Sequence, residues 1–188
     1  MNILLLCEWR SSDTGVQIRS ALQSTLEREG HSVQTIVLNH KEFKPCVGCF
    51  GCWLKTPGQC LVTDDAANSI ASLVINADAV VLISEITYGG FSADIKAFLD
   101  RSIQNIMPYL VKYKGETHHP LRYKRSPVLI SVGYGNASDA ERRTFIALAE
   151  RNALNKRPPR HLAVVVENRD ELAKEASNIL KTLEAGGI

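Results

Sequence analysis

The chain has 188 residues, of which 45% are hydrophobic and 22% charged, and its formal net charge is +2. That length suits one domain with a real core, and a charge so near balance gives no footing for nucleic-acid binding. The opening MNILLLCEWR has too short an apolar run and no basic lead for an export signal, and no stretch approaches the roughly 20 apolar residues of a membrane span, so a cytoplasmic protein is expected.

Strand-like and helix-like segments alternate from end to end. The first apolar run is 2–7, and Ile18, Leu22 and Leu26 then mark a helix. Runs rich in Val and Ile follow at 33–39, 78–84, 127–133 and 161–167. They are nearly continuous rather than alternating, the pattern of strands buried on both faces of a parallel sheet. Between them, DDAANSIASLVIN opens a helix with two acidic residues at its positive end. SADIKAFLDRSIQNI, residues 92–106, puts Ile95, Phe98, Leu99, Ile103 and Ile106 on one face, with Ser92 as its N-cap. Ser138 and Glu141 form a capping-box pair before the next helix, and DELAKEASNILKTLEA closes the chain.

Five strands with helices between them predict an α/β fold. It is a flavodoxin-like, doubly wound, five-stranded parallel sheet of order 2-1-3-4-5, with residues 1–188 forming a single domain. Residues 108–126, basic and aromatic, fit no element and are expected to be a surface or subunit-covering loop. His118 and His119 are read as loop residues there, and Cys7 as a small buried residue.

In such sheets ligands bind beyond the carboxyl ends of the strands. The loop after strand one, CEWRSSDTGVQ, is rich in hydroxyls and precedes a helix. Ser11, Ser12, Thr14 and the backbone near Gly15 suit a phosphate, with Arg10 adding charge. The loop after strand three combines Thr87, Tyr88, Gly89 and Gly90, a planar side chain beside backbone that a flat ring can approach closely. Gly133 and Gly135 give only two of the three glycines of a dinucleotide fingerprint, and no Walker pattern is present.

Four of the five cysteines fall in FKPCVGCFGCWLKTPGQCLVTDD, at Cys46, Cys49, Cys52 and Cys60. In a reducing compartment such a cluster favours metal or redox chemistry over structural disulfides. Gly48, Gly51 and the Pro57-Gly58 pair allow the segment to curl so that four thiols meet. The spacing is close to that of an iron–sulfur site. Free thiols in an active-site or interface loop, zinc and a transient disulfide remain as alternatives, zinc being disfavoured because its ligands usually come as two separated pairs.

The segment SEITYGGFSADIKAFLDR, with Lys96, Phe98, Asp100 and Arg101 in register, resembles the flavin loop and following helix of flavodoxin-fold NAD(P)H-dependent FMN reductases. ERNALNKRPPRHLAVVV resembles that family's last helix and strand, and the cysteine segment resembles one branch, the iron–sulfur flavoproteins. The first loop departs from the family, with Glu8 and Trp9 in place of Ser-Pro, and Glu85 stands where proline is common. The resemblance implies an FMN-dependent oxidoreductase with NAD(P)H as co-substrate. Its small acceptor would be a quinone, a flavin, a nitro compound or a metal ion. The alternative is an iron–sulfur flavoprotein carrying electrons between partner proteins. It implies FMN phosphate on Arg10, Ser12, Thr14 and Gly15, and the ring on Glu85, Ile86, Thr87, Tyr88, Gly89 and Gly90 with Gly133 nearby. A [4Fe–4S] cluster on the four cysteines, a homodimer or homotetramer, and no nucleic-acid or membrane partner complete the expectation. The redox chemistry is largely the cofactor's, so no catalytic side chain is assigned. Lys112, Lys114, Arg122, Lys124 and Arg125 are candidate contacts for the 2′-phosphate of NADPH.

Overall fold

The structure, a computed structural model, describes residues 1–9 and 11–185. Five parallel strands form the central sheet: β1 (Asn2–Glu8), β2 (Ser32–Leu38), β3 (Ala79–Glu85), β6 (Val128–Tyr134) and β7 (His161–Val166). Their order is β2-β1-β3-β6-β7. This is the 2-1-3-4-5 order predicted above; the labels shift because β4 (Val111–Tyr113) and β5 (Glu116–His118) intervene in the chain.

Helices cover both faces, as the continuous apolar strands require. On one face α1 (Asp13–Arg28) and α6 (Arg169–Glu184) bury Ile18, Leu22, Leu26, Leu172, Ile179 and Leu183 against Leu5, Val81 and Ile130. On the other, α3 (Ala67–Asn76), α4 (Ala93–Arg101) and α5 (Asp139–Lys156) bury Ile70, Ile95, Phe98 and Phe145 against Leu4, Leu6, Val80 and Leu82. Among the described residues no helix is long and apolar enough to cross a membrane.

Local chemistry sets the helix ends. Ser138 and Glu141 form the predicted capping box on α5. Ser92 stands at the N-cap of α4 but makes no side-chain capping bond. The predicted helix through residue 106 stops at Arg101 and tightens into a 3₁₀ turn, Ser102–Asn105. Helix α3 begins at Ala67, so Asp64 and Asp65 precede it rather than forming its first turn.

The expected irregular loop is instead partly ordered. Residues Val111–Tyr113 and Glu116–His118 pair as an antiparallel hairpin. Its turn uses Lys114 and Gly115, both at positive φ. His118 is a buried strand residue, bonded through Nδ1 to Asn155 Oδ1 and through Nε2 to Glu116 Oε2, both at 2.9 Å. The sequence signal missed was the alternation around a Lys-Gly turn.

Candidate functional site

The carboxyl ends of β1, β3 and β6 present three loops side by side, with Glu85 directly opposite Tyr134 in the register. Ser12 is the N-cap of α1, and its hydroxyl accepts a hydrogen bond from Gly15 N at 3.3 Å. Thr14 lies in the same first turn, half-buried, and Gly15 is buried. Arg10, expected beside them, lies outside the described residues. Ser11 Oγ donates to the Glu8 carbonyl at 2.9 Å.

Glu8, which the family comparison of residues flagged as a departure, is buried beneath these loops. Its Oε1 accepts from Glu85 N at 2.7 Å and from the Tyr134 hydroxyl. Burial pushes its carboxyl up from the usual range, against the hydrogen bonds it receives. Tyr134 is fully buried, and its hydroxyl is pushed up in turn by burial and by the Glu8 bond. Gly15 rests on Tyr134: a Cβ there would lie 2.2 Å from the hydroxyl oxygen. The Glu8–Tyr134 pair was not foreseen; the Tyr between the two glycines of VGYG was the available signal.

Beyond β3, Ile86 N donates to Tyr134 O at 2.8 Å, holding the loop to its neighbour. Thr87 and Gly90 then exchange backbone hydrogen bonds of 3.0 and 2.9 Å. Tyr88 (φ 51°) and Gly89 (φ 76°) between them both lie in the left-handed region, as a type I′ turn demands. Tyr88 bears the strain of that conformation, of order 1 kcal/mol or more, and its side chain is 93% exposed. Gly89 cannot be replaced, since a Cβ would meet Thr144 of α5 at 2.8 Å. Gly133 is buried, and its missing Cβ makes room for Phe145. Asp94, in the first turn of α4, ties the ends of β1 and β2 together by accepting from Trp9 N at 3.0 Å and His40 N at 2.7 Å. Burial alone would raise its carboxyl, but the His40 bonds outweigh that and lower it.

A second centre lies beside α4. Cys46, Cys49, Cys52 and Cys60 line one small cavity of about 40 Å³, closed by Trp53, Arg101 and Ile103. The curl predicted from glycine is present, with Gly48 at φ 66°, and Phe50 also takes a left-handed φ, 55°, ahead of the short helix α2 (Gly51–Leu54). The segment is tied down by polar groups. Cys60 N donates to Gln104 Oε1 at 2.7 Å and Asn68 Oδ1 at 3.0 Å, and Trp53 Nε1 donates to Ile103 O at 3.0 Å. Arg101 Nη1 donates to Lys44 O and to Asp65 Oδ2, at 2.7 and 2.8 Å. Its Nε is buried with no hydrogen-bond partner, and Cys60 faces the guanidinium. Burial pushes the Cys52 thiol up, and Cys60, Cys46 and Cys49 add to it, so the four sulfurs feel one another. Among the described residues no three of the groups that ligate metals converge on one ion. Cys7 is elsewhere, fully buried at the end of β1. The 108–126 segment abuts this centre through His119, whose ring lies 4.9 Å from that of Trp53.

The basic residues proposed for NADPH scatter. Arg125 bonds Asp78 at 2.8 Å, at the opposite end of the strands, and Arg122 is held by the carbonyls of Gln104 and Ile106. Arg125 thus lies away from the three loops.

Residues 1–162 match the family of NADPH-dependent FMN reductases. The chain belongs to that family. The family's description names NADPH and FMN. Among curated relatives it is 38% identical over 90 residues to an iron–sulfur flavoprotein of Methanocaldococcus jannaschii, covering 48% of this chain and 45% of that one. It is 34% identical over 84 residues to an iron–sulfur flavoprotein of Archaeoglobus fulgidus, covering 45% and 35%. The chain thus spans less than half the length of these relatives. Among solved structures, an NAD(P)H:quinone oxidoreductase from Methanothermobacter marburgensis superposes with a TM-score of 0.68 at 11% identity, covering 100% and 98% of the two chains. An azoreductase from Bacillus anthracis does so at 0.64 and 14%, covering 98% and 96%. At such identities these two show the shared flavodoxin-like fold.

The residues present fit the FMN reductase cofactor. The Ser12 and Thr14 hydroxyls and the first backbone N–H groups of α1 form a donor set suited to a phosphate. Four thiols on one cavity are the right chemical kind for an iron–sulfur cluster, but among the described residues no three such groups are placed to hold a metal ion.

Proposed function

We propose that this chain is an FMN-dependent NAD(P)H oxidoreductase that passes electrons from a nicotinamide through flavin to a small acceptor: a quinone, a flavin, a nitro compound or a metal ion. The observation that carries the reading is the meeting of three loops at the carboxyl ends of β1, β3 and β6. One offers phosphate donors, one an exposed aromatic on a tight turn, and one a close-packed glycine. In this reading Arg10, Ser12, Thr14 and Gly15 hold the phosphate. Glu85, Ile86, Thr87, Tyr88, Gly89 and Gly90, with Gly133, border the ring. FMN, when bound by these residues, would supply the redox chemistry between nicotinamide and acceptor. The chain's own part is to bind, orient and shield, and no side-chain acid or base is required of it.

Residues 1–188 are read as one FMN-binding domain, which the single five-stranded sheet supports. A homodimer or homotetramer is supported by the apolar side chains exposed along the cysteine segment and the loop that abuts it. Val47, Leu54 and Tyr109 are 77%, 74% and 67% exposed.

A second reading rests on the cysteine cavity: an iron–sulfur flavoprotein that carries electrons between partner proteins, with Cys46, Cys49, Cys52 and Cys60 as cluster ligands. A single zinc ion would need its thiolates about 2.3 Å from one point. A [4Fe–4S] cluster would take one thiolate on each of its four irons.

The test is to load the purified chain with FMN and measure NADH and NADPH oxidation with a quinone, a nitro compound or free flavin as acceptor. Iron and acid-labile sulfide are assayed on protein prepared without oxygen. Turnover with a nicotinamide supports the reductase. Iron and sulfide in near-equal amounts, with reduction only by a protein donor, support the carrier and sink the first reading.

A further inference from the structure

Glu8 touches every loop of the flavin crevice. Its carbonyl accepts from Ser11 Oγ of the first loop at 2.9 Å, and its carboxyl accepts from Glu85 N of the second at 2.7 Å. The same carboxyl oxygen accepts from the Tyr134 hydroxyl at the third. That hydroxyl in turn supports Gly15, so the first turn of α1 stands on the Glu8–Tyr134 pair. Glu8 is only 3% exposed and Tyr134 not at all. Among the described residues, the groups acting on the carboxyl are Tyr134 from β6, Glu85 from β3 and Ser92 at the start of α4, with the Cys7 thiol next along β1.

We propose that Glu8 is a proton-linked positioning residue for the FMN phosphate. In either form it accepts these bonds and braces the three loops; ionised, it also sets a negative charge beneath the place where an anionic phosphate binds. The proposal rests on the reading of Ser12, Thr14 and Gly15 as the phosphate loop. The burial that raises this carboxyl, reinforced by the like charge of Glu85, agrees with an uncharged form persisting above the ordinary carboxylate range. A phosphate monoester takes its second charge near pH 6. That ionisation favours binding at a helix N-terminus as pH rises, whereas Glu8 ionisation disfavours it, so the two effects have opposite signs.

The experiment is FMN affinity by titration calorimetry from about pH 5 to 9 for the wild type, Glu8→Gln and Tyr134→Phe. Riboflavin, which lacks the phosphate, serves as the control ligand. Infrared spectra of the three cofactor-free proteins report the protonated carboxyl. For the wild type, FMN affinity should fall about tenfold as pH rises through the Glu8 titration, the size expected of one like charge in a partly buried site. Riboflavin affinity should change far less. Glu8→Gln should lose both the fall and a carboxyl infrared band. Tyr134→Phe removes a bond to the ionised form and should move the fall to higher pH, which tests the proposal even where Glu8→Gln does not fold. An unchanged pH course in Glu8→Gln, or no shift in Tyr134→Phe, overturns this inference alone. No FMN binding by the wild type at any pH overturns the phosphate-loop reading and the inference with it.

Discussion

Arg101 and Asp65 form a buried forked ion pair, with Nη1 on Oδ2 at 2.8 Å and Nη2 on Oδ1 at 3.2 Å, and both side chains are almost wholly shielded from water. The pair fastens the end of the cysteine segment to the last turn of α4. Lys44 O and Val62 O, on either side of the four cysteines, accept from the same guanidinium. The segment is thus closed by a side chain, and among the described residues no disulfide joins its cysteines.

Removing one partner should therefore expose the thiols. Asp65→Ala leaves the Arg101 charge buried and unpaired, at a cost of about 3–5 kcal/mol. Denaturant unfolding measures that loss, and a thiol reagent should label Cys52 and Cys60 faster than in the wild type. Unchanged stability would mean that the pair does not hold the segment.

Tyr88 sits in a left-handed conformation that glycine adopts freely. Its ring is exposed, so nothing in the cofactor-free fold offsets the strain. Tyr88→Gly should leave stability unchanged or raise it by up to ~1 kcal/mol, while weakening FMN binding about tenfold through loss of ring contact. Parallel thermal melts and FMN titrations separate the two effects. A variant that loses stability but keeps FMN affinity would assign Tyr88 to packing instead.

Lys156 closes α5 beside an apolar cavity of about 50 Å³ lined by Leu6, Val80, Leu82 and Phe98. Its amine donates to Ser102 Oγ at 2.9 Å, and burial pushes it down to about 8 from its ordinary 10.5. Below about pH 8 the folded and unfolded chains both carry this proton, and the burial cost is fully present. Between about 8 and 10.5 the unfolded chain binds more protons, so this group makes stability rise with pH. Lys156→Met should stabilise the protein at pH 7 by about 1–3 kcal/mol, an advantage that shrinks as pH climbs through that window. A gain that does not change with pH would assign it to cavity filling alone.

The sheet was legible because buried parallel strands leave continuous apolar runs, such as AVVLISE, whose only stable cover is helices on both faces. The capping box of Ser138 and Glu141 was equally local. What escaped depends on contacts between distant residues. Asp65 reads as a helix-start charge until Arg101 arrives from 36 residues away, and Glu8 reads as a clash with phosphate until Tyr134, 126 residues on, takes its carboxyl. The hairpin around Lys114 was hidden because three-residue strands barely register as alternation. Arg125 was misread for a similar reason: clustered basic residues look like one patch, whereas its carbonyl and carboxylate partners lie at the far end of the sheet.

The central claim, that this chain takes electrons directly from a nicotinamide onto FMN, is tested most directly by anaerobic titration of the FMN-loaded protein with NADH and with NADPH, no acceptor present. The visible flavin absorption should bleach with one equivalent of at least one nicotinamide per bound flavin and return on addition of a quinone. Flavin that stays oxidised with both nicotinamides, yet bleaches with a reduced electron-transfer protein, would contradict the account.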